Sequence, residues 1–192
     1  MWPLLITSIV TLAVVMERLF FVIVEKWKRN REVVEKVLTM VQHGDFVAAR
    51  KVASEHRDIV ARILAEGLEH RDSFVSAMLY AANQELRRFS RGLSVLDTAI
   101  TLAPLLGLLG TVTGLIRAFS FLGTQELGAP TAITGGIAEA LIATAFGLSI
   151  AIMALIPFNY LNSILEEARH EIESATTQLE LLLVGSPQAK KE

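Results

Sequence analysis

No cysteine occurs in the 192 residues. Disulfides and thiolate metal sites are therefore excluded. Nor is there a basic excess: 18 Lys and Arg against 20 Asp and Glu leave a net charge of −2. Such a balance offers nucleic acid no electrostatic footprint. No nucleophile–base set, glycine-rich phosphate loop or zinc-ligand spacing stands out. We therefore expect no enzyme activity, no cofactor and no metal. The opening MWPLLITSIVTLAVV lacks the basic region and small-residue cleavage site of a secretory signal, and is read as retained.

Charge is also missing from three long stretches, in a chain that is 52% hydrophobic with a mean hydropathy of +0.47. Residues 1–24 carry no charge up to Met16, then Glu17 and Arg18. Trp2 and Trp27 bracket this stretch about 37 Å apart along a helix, which suits a bilayer core with an aromatic at each interface. Residues 98–122 run uncharged to Ile116 and then carry Arg117. Residues 132–158 are interrupted only by Glu139. Each stretch is long enough to span.

The remainder is polar and helical in pattern. In residues 25–97, REVVEKVLTMVQH and FVAARKVASEH flank Gly44-Asp45, a stop followed by an N-cap. That predicts a helical hairpin. DIVARILAEGLEH follows as a third amphipathic segment. From Ser73 the pattern enters the second span without a clear breaker, which predicts one long helix. Residues 123–131 form a short loop, residues 159–184 an amphipathic continuation of the third span, and residues 185–192 a disordered tail. The fold class is thus an all-α membrane protein with three transmembrane helices, long helices extending into the cytoplasm and a cytoplasmic hairpin. Thirteen Lys and Arg lie in residues 25–97 and none in 123–131. The positive-inside rule puts the former in the cytoplasm, the N-terminus outside and the C-terminus inside.

The second span, read every three to four residues, gives Ala103, Gly107, Thr111, Gly114 and Ala118. The third gives Gly136, Glu139, Ala143, Gly147 and Ala151. Small stripes let helices approach closely in lipid, so Gly107, Gly114, Gly136, Ala143 and Gly147 are expected at a helix–helix contact. Thr111, Glu139 and Thr144 fall within about 10 Å of one another in depth. Glu139 and Thr144 are separated by about 140° around their helix, so only a wide lumen meets both. A charge at this depth costs at least about 2.5–3.5 kcal/mol, which marks Glu139 as a candidate proton-handling group. The alternative is a protonated carboxyl bonded across a helix interface. A membrane threonine commonly bonds back to its own helix. Arg117, about one turn from the outer surface, reads as snorkelling. Glu17 and Arg18 are sequence neighbours and are not expected to face each other. His43, His56, His70 and His170 lack ligand spacing and read as solvated.

APLLGLLGTVTGLIRAF (103–119), GGIAEALIATAFGLSIAIMALIPFNYLN (135–162), MERLFF (16–21) and HGDFVAARKVA (43–53) together resemble the ExbB/TolQ/MotA family of proton-channel subunits. Within it the likeness is greatest to the ExbB and TolQ branches. The resemblance implies a homopentamer in a bacterial inner membrane. Its pore would hold a dimer of single-span ExbD- or TolR-like partners whose aspartate carries protons. Coupling to a TonB-like protein would drive outer-membrane import; a TolQ-like role in envelope maintenance, or a non-conducting membrane scaffold, is the alternative. The family's pore glutamate maps onto Glu139 and its pore threonines onto Thr111 and Thr144. Thr113 stands where many ExbB and TolQ chains have tryptophan.

Overall fold

A computed structural model describes residues 2–120 and 130–184, all of them in helices and short turns. The expected loop at 123–131 falls almost wholly outside the described residues, as does the tail at 185–192. The helices are α1 (Trp2–Lys28), α2 (Arg31–Gln42), α3 (Phe46–Glu55), α4 (Ile59–Glu69), α5 (Phe74–Ser90), α6 (Leu93–Ser120) and α7 (Pro130–Val184). A 3₁₀ turn, Arg71–Ser73, precedes α5. Three helical stretches are long and apolar enough to cross a membrane. α7 runs unbroken for 55 residues, roughly 82 Å. Pro157 sits within it.

The chain divides into two compact units. The first comprises residues 1–20 and 92–161. Here α6 and α7 pack antiparallel through small residues, and Leu4 of α1 joins Ala103, Ala143 and Ile150 in one apolar cluster. The expected continuous helix from Ser73 into the second span is not what forms. α5 ends at Ser90 and α6 begins at Leu93, with Gly92 at φ +77° between them. That left-handed conformation suits glycine, and the space is also occupied. A β-carbon on Gly92 would lie 2.9 Å from Nε and 3.1 Å from Cδ of Arg18. The Arg18 side chain is buried, and its Nη2 reaches back to Glu17 Oε1 at 2.7 Å. The two neighbours therefore do pair, contrary to expectation, because the arginine folds back along its own helix. We predict that Gly92→Ala costs about 1–2 kcal/mol through the positive φ alone. Thermal unfolding of the detergent-solubilised protein checks this; an unchanged transition would refute it.

The second unit comprises residues 21–91 and 162–192. Its core gathers Val37, Ala49, Ile63, Leu64 and Met78 with Ile172 and Leu179 of α7. α2 and α3 form a hairpin closed by Gly44 at φ +81°. Asp45 caps α3, its side chain accepting from the Ala48 amide at 3.2 Å. Asp58, nearly inaccessible, receives two amides: Asn30 N–H on Oδ2 at 2.8 Å and Ala61 N–H on Oδ1 at 3.0 Å. One carboxylate thus caps α4 and fixes the turn leading into α2. Arg29 pairs with Glu167 and Glu171, and Arg31 with Glu171 at 2.6 Å, tying that turn to α7.

Candidate functional site: the α6–α7 seam

Glycine and alanine positions bring the two backbones into contact. A β-carbon added at Gly136 would meet the Ala118 β-carbon at 2.8 Å. One at Gly114 would meet that of Ala140 at 2.8 Å, and one at Gly110 that of Ala143 at 2.6 Å. At Gly107 the nearest atoms are the Ala143 carbonyl oxygen at 3.0 Å and Thr144 Cα at 3.1 Å. At Gly147 the Ala103 carbonyl oxygen stands 2.5 Å away. The seam therefore runs through Ala103, Gly107, Gly110, Gly114 and Ala118 on α6. On α7 it runs through Gly136, Ala140, Ala143 and Gly147. Up to Gly147 it differs from the stripes read from the sequence at two positions: Gly110 stands in place of Thr111, and Ala140 in place of Glu139. A walk of three or four residues can slip by one position, because 3.6 residues complete a turn.

That slip moves both polar residues out of the seam. Thr111 is only partly covered and donates its hydroxyl to Leu108 O of its own helix at 2.7 Å. Glu139 is exposed on the single chain. Thr144 behaves differently: its Oγ1 donates across the seam to Gly107 O at 3.0 Å. A threonine that bonds a neighbouring helix fixes the register of the pair as well as its distance. The pairings Ala118–Gly136, Gly114–Ala140 and Gly110–Ala143 set the levels. Glu139 is level with about Leu115, and Thr111 is level with about Ile142, between Glu139 and Thr144, so the three polar residues span roughly 7–8 Å of depth.

Their azimuths separate them further. Measured from the middle of the seam, Thr111 and Thr144 are each turned about 60–70° in one sense, and Glu139 about 70° in the other. In two right-handed helices running antiparallel, the same sense of turn falls on the same flank of the pair. Thr111 and Thr144 thus share one flank, and Glu139 lies on the opposite one. The packing agrees: Leu106 and Ile150, turned like Glu139, belong to the cluster with Leu4 of α1. No group of three or more His, Asp or Glu able to hold a metal occurs among the described residues.

Comparison with known proteins places this helix pair. Residues 55–174 match the model of the MotA/TolQ/ExbB proton channel family. The chain belongs to that family. The MotA/TolQ/ExbB match takes in the whole seam and reaches into both segments of the second unit. An ExbB-like biopolymer transport protein of Synechocystis sp. (ExbB-like 1) is 39% identical over 95% of this chain and 74% of its own length. A second from that organism (ExbB-like 3) is 35% identical over 94% of this chain and 88% of its own. The biopolymer transport protein ExbB of Neisseria gonorrhoeae is 37% identical over 52% of this chain and 45% of its own. As a MotA/TolQ/ExbB chain with three candidate spans, this is a membrane subunit of the transport-energising type. Sequence reasoning missed Gly110 and Ala140 as seam residues. The signal for both was small size alone, shared by many other positions in these spans.

Proposed function

We propose that the chain is a proton-channel subunit of an inner-membrane complex that uses the proton-motive force to energise outer-membrane import. The observation that carries this reading is Glu139: a carboxylate exposed on the single chain, within the apolar stretch of α7, in a chain of the proton-channel family. Left against lipid, its charge would cost at least about 2.5–3.5 kcal/mol. A neighbouring copy, a partner helix or water must therefore face it. An ExbB-like pentamer around a pair of ExbD-like single-span partners supplies all three, and the ExbB names of the relatives support this over a TolQ-like assembly. A TonB-like protein would receive the work.

In this reading residues 25–97 and 159–192 lie in the cytoplasm and the N-terminus in the periplasm. Protons enter near Glu139, pass to an acidic group on the partner, and leave past the level of Thr111 and Thr144. Each proton delivers about 2.3 kcal/mol per 100 mV of membrane potential. Gly107, Gly114, Gly136, Ala143 and Gly147 keep the seam thin and fix the depth of the polar residues beside it.

The test replaces Glu139 with Gln, which keeps size and removes ionisation. The wild-type and variant subunits are expressed in a strain lacking its own ExbB, together with the partner genes. We expect siderophore-dependent iron uptake to fall at least about tenfold with membrane level and oligomer size unchanged. Undiminished uptake with Gln would sink the channel reading and leave the carboxyl as packing glue in a scaffold.

A further inference from the structure

The flank that bears Glu139 also bears a cation. Arg117 of α6 is turned about 60° from the middle of the seam, in the same sense as Glu139 on α7. The Ala118–Gly136 and Gly114–Ala140 pairings put Arg117 about two residues further out than Glu139, roughly 3 Å in depth. Both side chains are exposed on the single chain, and neither makes an ion pair among the described residues. Thr113, also on this flank, already donates to its own helix at Leu109 O and Gly110 O. Among the described residues of the second and third spans, Arg117 is thus the one cation, and it faces the side of Glu139. The Cα–Cβ bond of a helical residue tilts toward the helix N-terminus, so the Arg117 stem leaves α6 toward the level of Glu139.

We propose that Arg117 is a positioning residue for Glu139, its guanidinium holding the carboxylate on the flank opposite Thr111 and Thr144. Snorkelling to the interface is then only half of its role. An arginine fork orients a carboxylate in two directions at once, which a lysine does less well. The pair makes a charged station on one flank, and the two threonines a neutral one on the other. This rests on the channel reading only for the use to which the station is put, because the proposed pairing is argued from the flank and register of the seam alone.

The absence of cysteine makes the test direct. Glu139→Cys and Thr111→Cys are made singly in the full chain, co-expressed with its partner in membrane vesicles. Each thiol is reacted with an anionic and a cationic methanethiosulfonate, and the ratio of the two rates is taken. A nearby guanidinium attracts the anionic reagent and repels the cationic one. We expect a further Arg117→Gln to lower the anion-to-cation ratio about tenfold in the Glu139→Cys protein. In the Thr111→Cys protein it should change the ratio less than about twofold, because that thiol lies on the other flank. Arg117→Lys should restore most of the ratio at position 139. An unchanged ratio at position 139, or an equal change at position 111, overturns the proposal.

A thermal-stability cycle on the otherwise native protein runs in parallel. Arg117→Gln and Glu139→Gln should be strongly non-additive in the double variant. Additive losses overturn the pairing. Neither readout requires proton flux, so the pairing can fail while wild-type uptake stands, and the channel reading can fail while the pairing holds.

Discussion

Gly147→Leu is expected to abolish the folded helix pair. Even the first added carbon would stand 2.5 Å from the Ala103 carbonyl oxygen, 3.0 Å from Gly107 Cα and 3.2 Å from Gly107 N. All three are backbone atoms, and none can rotate away. The helices must separate, and separation loosens every small contact along the seam, including the Thr144 bond to Gly107 O. Alanine at 147 should already cost about 1–3 kcal/mol, the usual range for overpacking, and leucine inserts several times that volume. Gly135 provides the control on the same helix, since a β-carbon there meets nothing within 4 Å. Gly135→Ala should be neutral or stabilise by about 0.5–1 kcal/mol, because glycine is a poor helix former. Denaturant titration of purified protein in detergent separates the three variants. If Gly147→Ala were as stable as Gly135→Ala, the close approach at the seam would be wrong.

The second large loss is expected at Asp58, far along the chain from any membrane span. Asp58→Ala leaves the Asn30 and Ala61 amides without acceptors in a buried place. Each orphaned donor costs about 1–3 kcal/mol. We expect the second unit to lose about 2–4 kcal/mol in total, a figure that includes the lost helix cap. Asp58→Asn is a sharper probe. Its oxygen can still serve one amide, but its NH₂ group then faces the other, donor to donor. It should recover only part of the loss. Limited proteolysis within residues 25–91 provides the measurement, since the loosened unit should be cut faster. Equal cleavage rates for Asp, Asn and Ala would show that water replaces the carboxylate at no cost.

Much of this organisation was readable in the sequence. The three apolar stretches are long and nearly free of charge, and hydropathy marks such runs without ambiguity. The Gly44-Asp45 pair announces the α2–α3 turn because glycine and an N-cap occur together. Gly92 announced nothing, since apolar spacing continues across it and a lone glycine inside a helical pattern is compatible with a helix. Only the positive φ and the Arg18 stem lying over it distinguish it. The candidate site divides in the same way. Glu139 stands out by charge in an apolar run. Which flank it occupies was hidden, because small residues cover most azimuths of both helices and fix the seam only to within one position. The link between Arg117 and Glu139 needs that flank, together with the antiparallel register.

The core of the second unit also sets a timetable. Val37, Ile63, Leu64 and Met78 are packed with Ile172 and Leu179. About a hundred residues, including two of the three candidate spans, are made between Met78 and Leu179. At roughly 5–20 residues per second, the early helices wait on the order of 5–20 s for the row of apolar side chains that closes over them. During synthesis their apolar faces are therefore on offer to a chaperone or to a neighbouring nascent chain, and the unit is sealed only when the last helix leaves the ribosome.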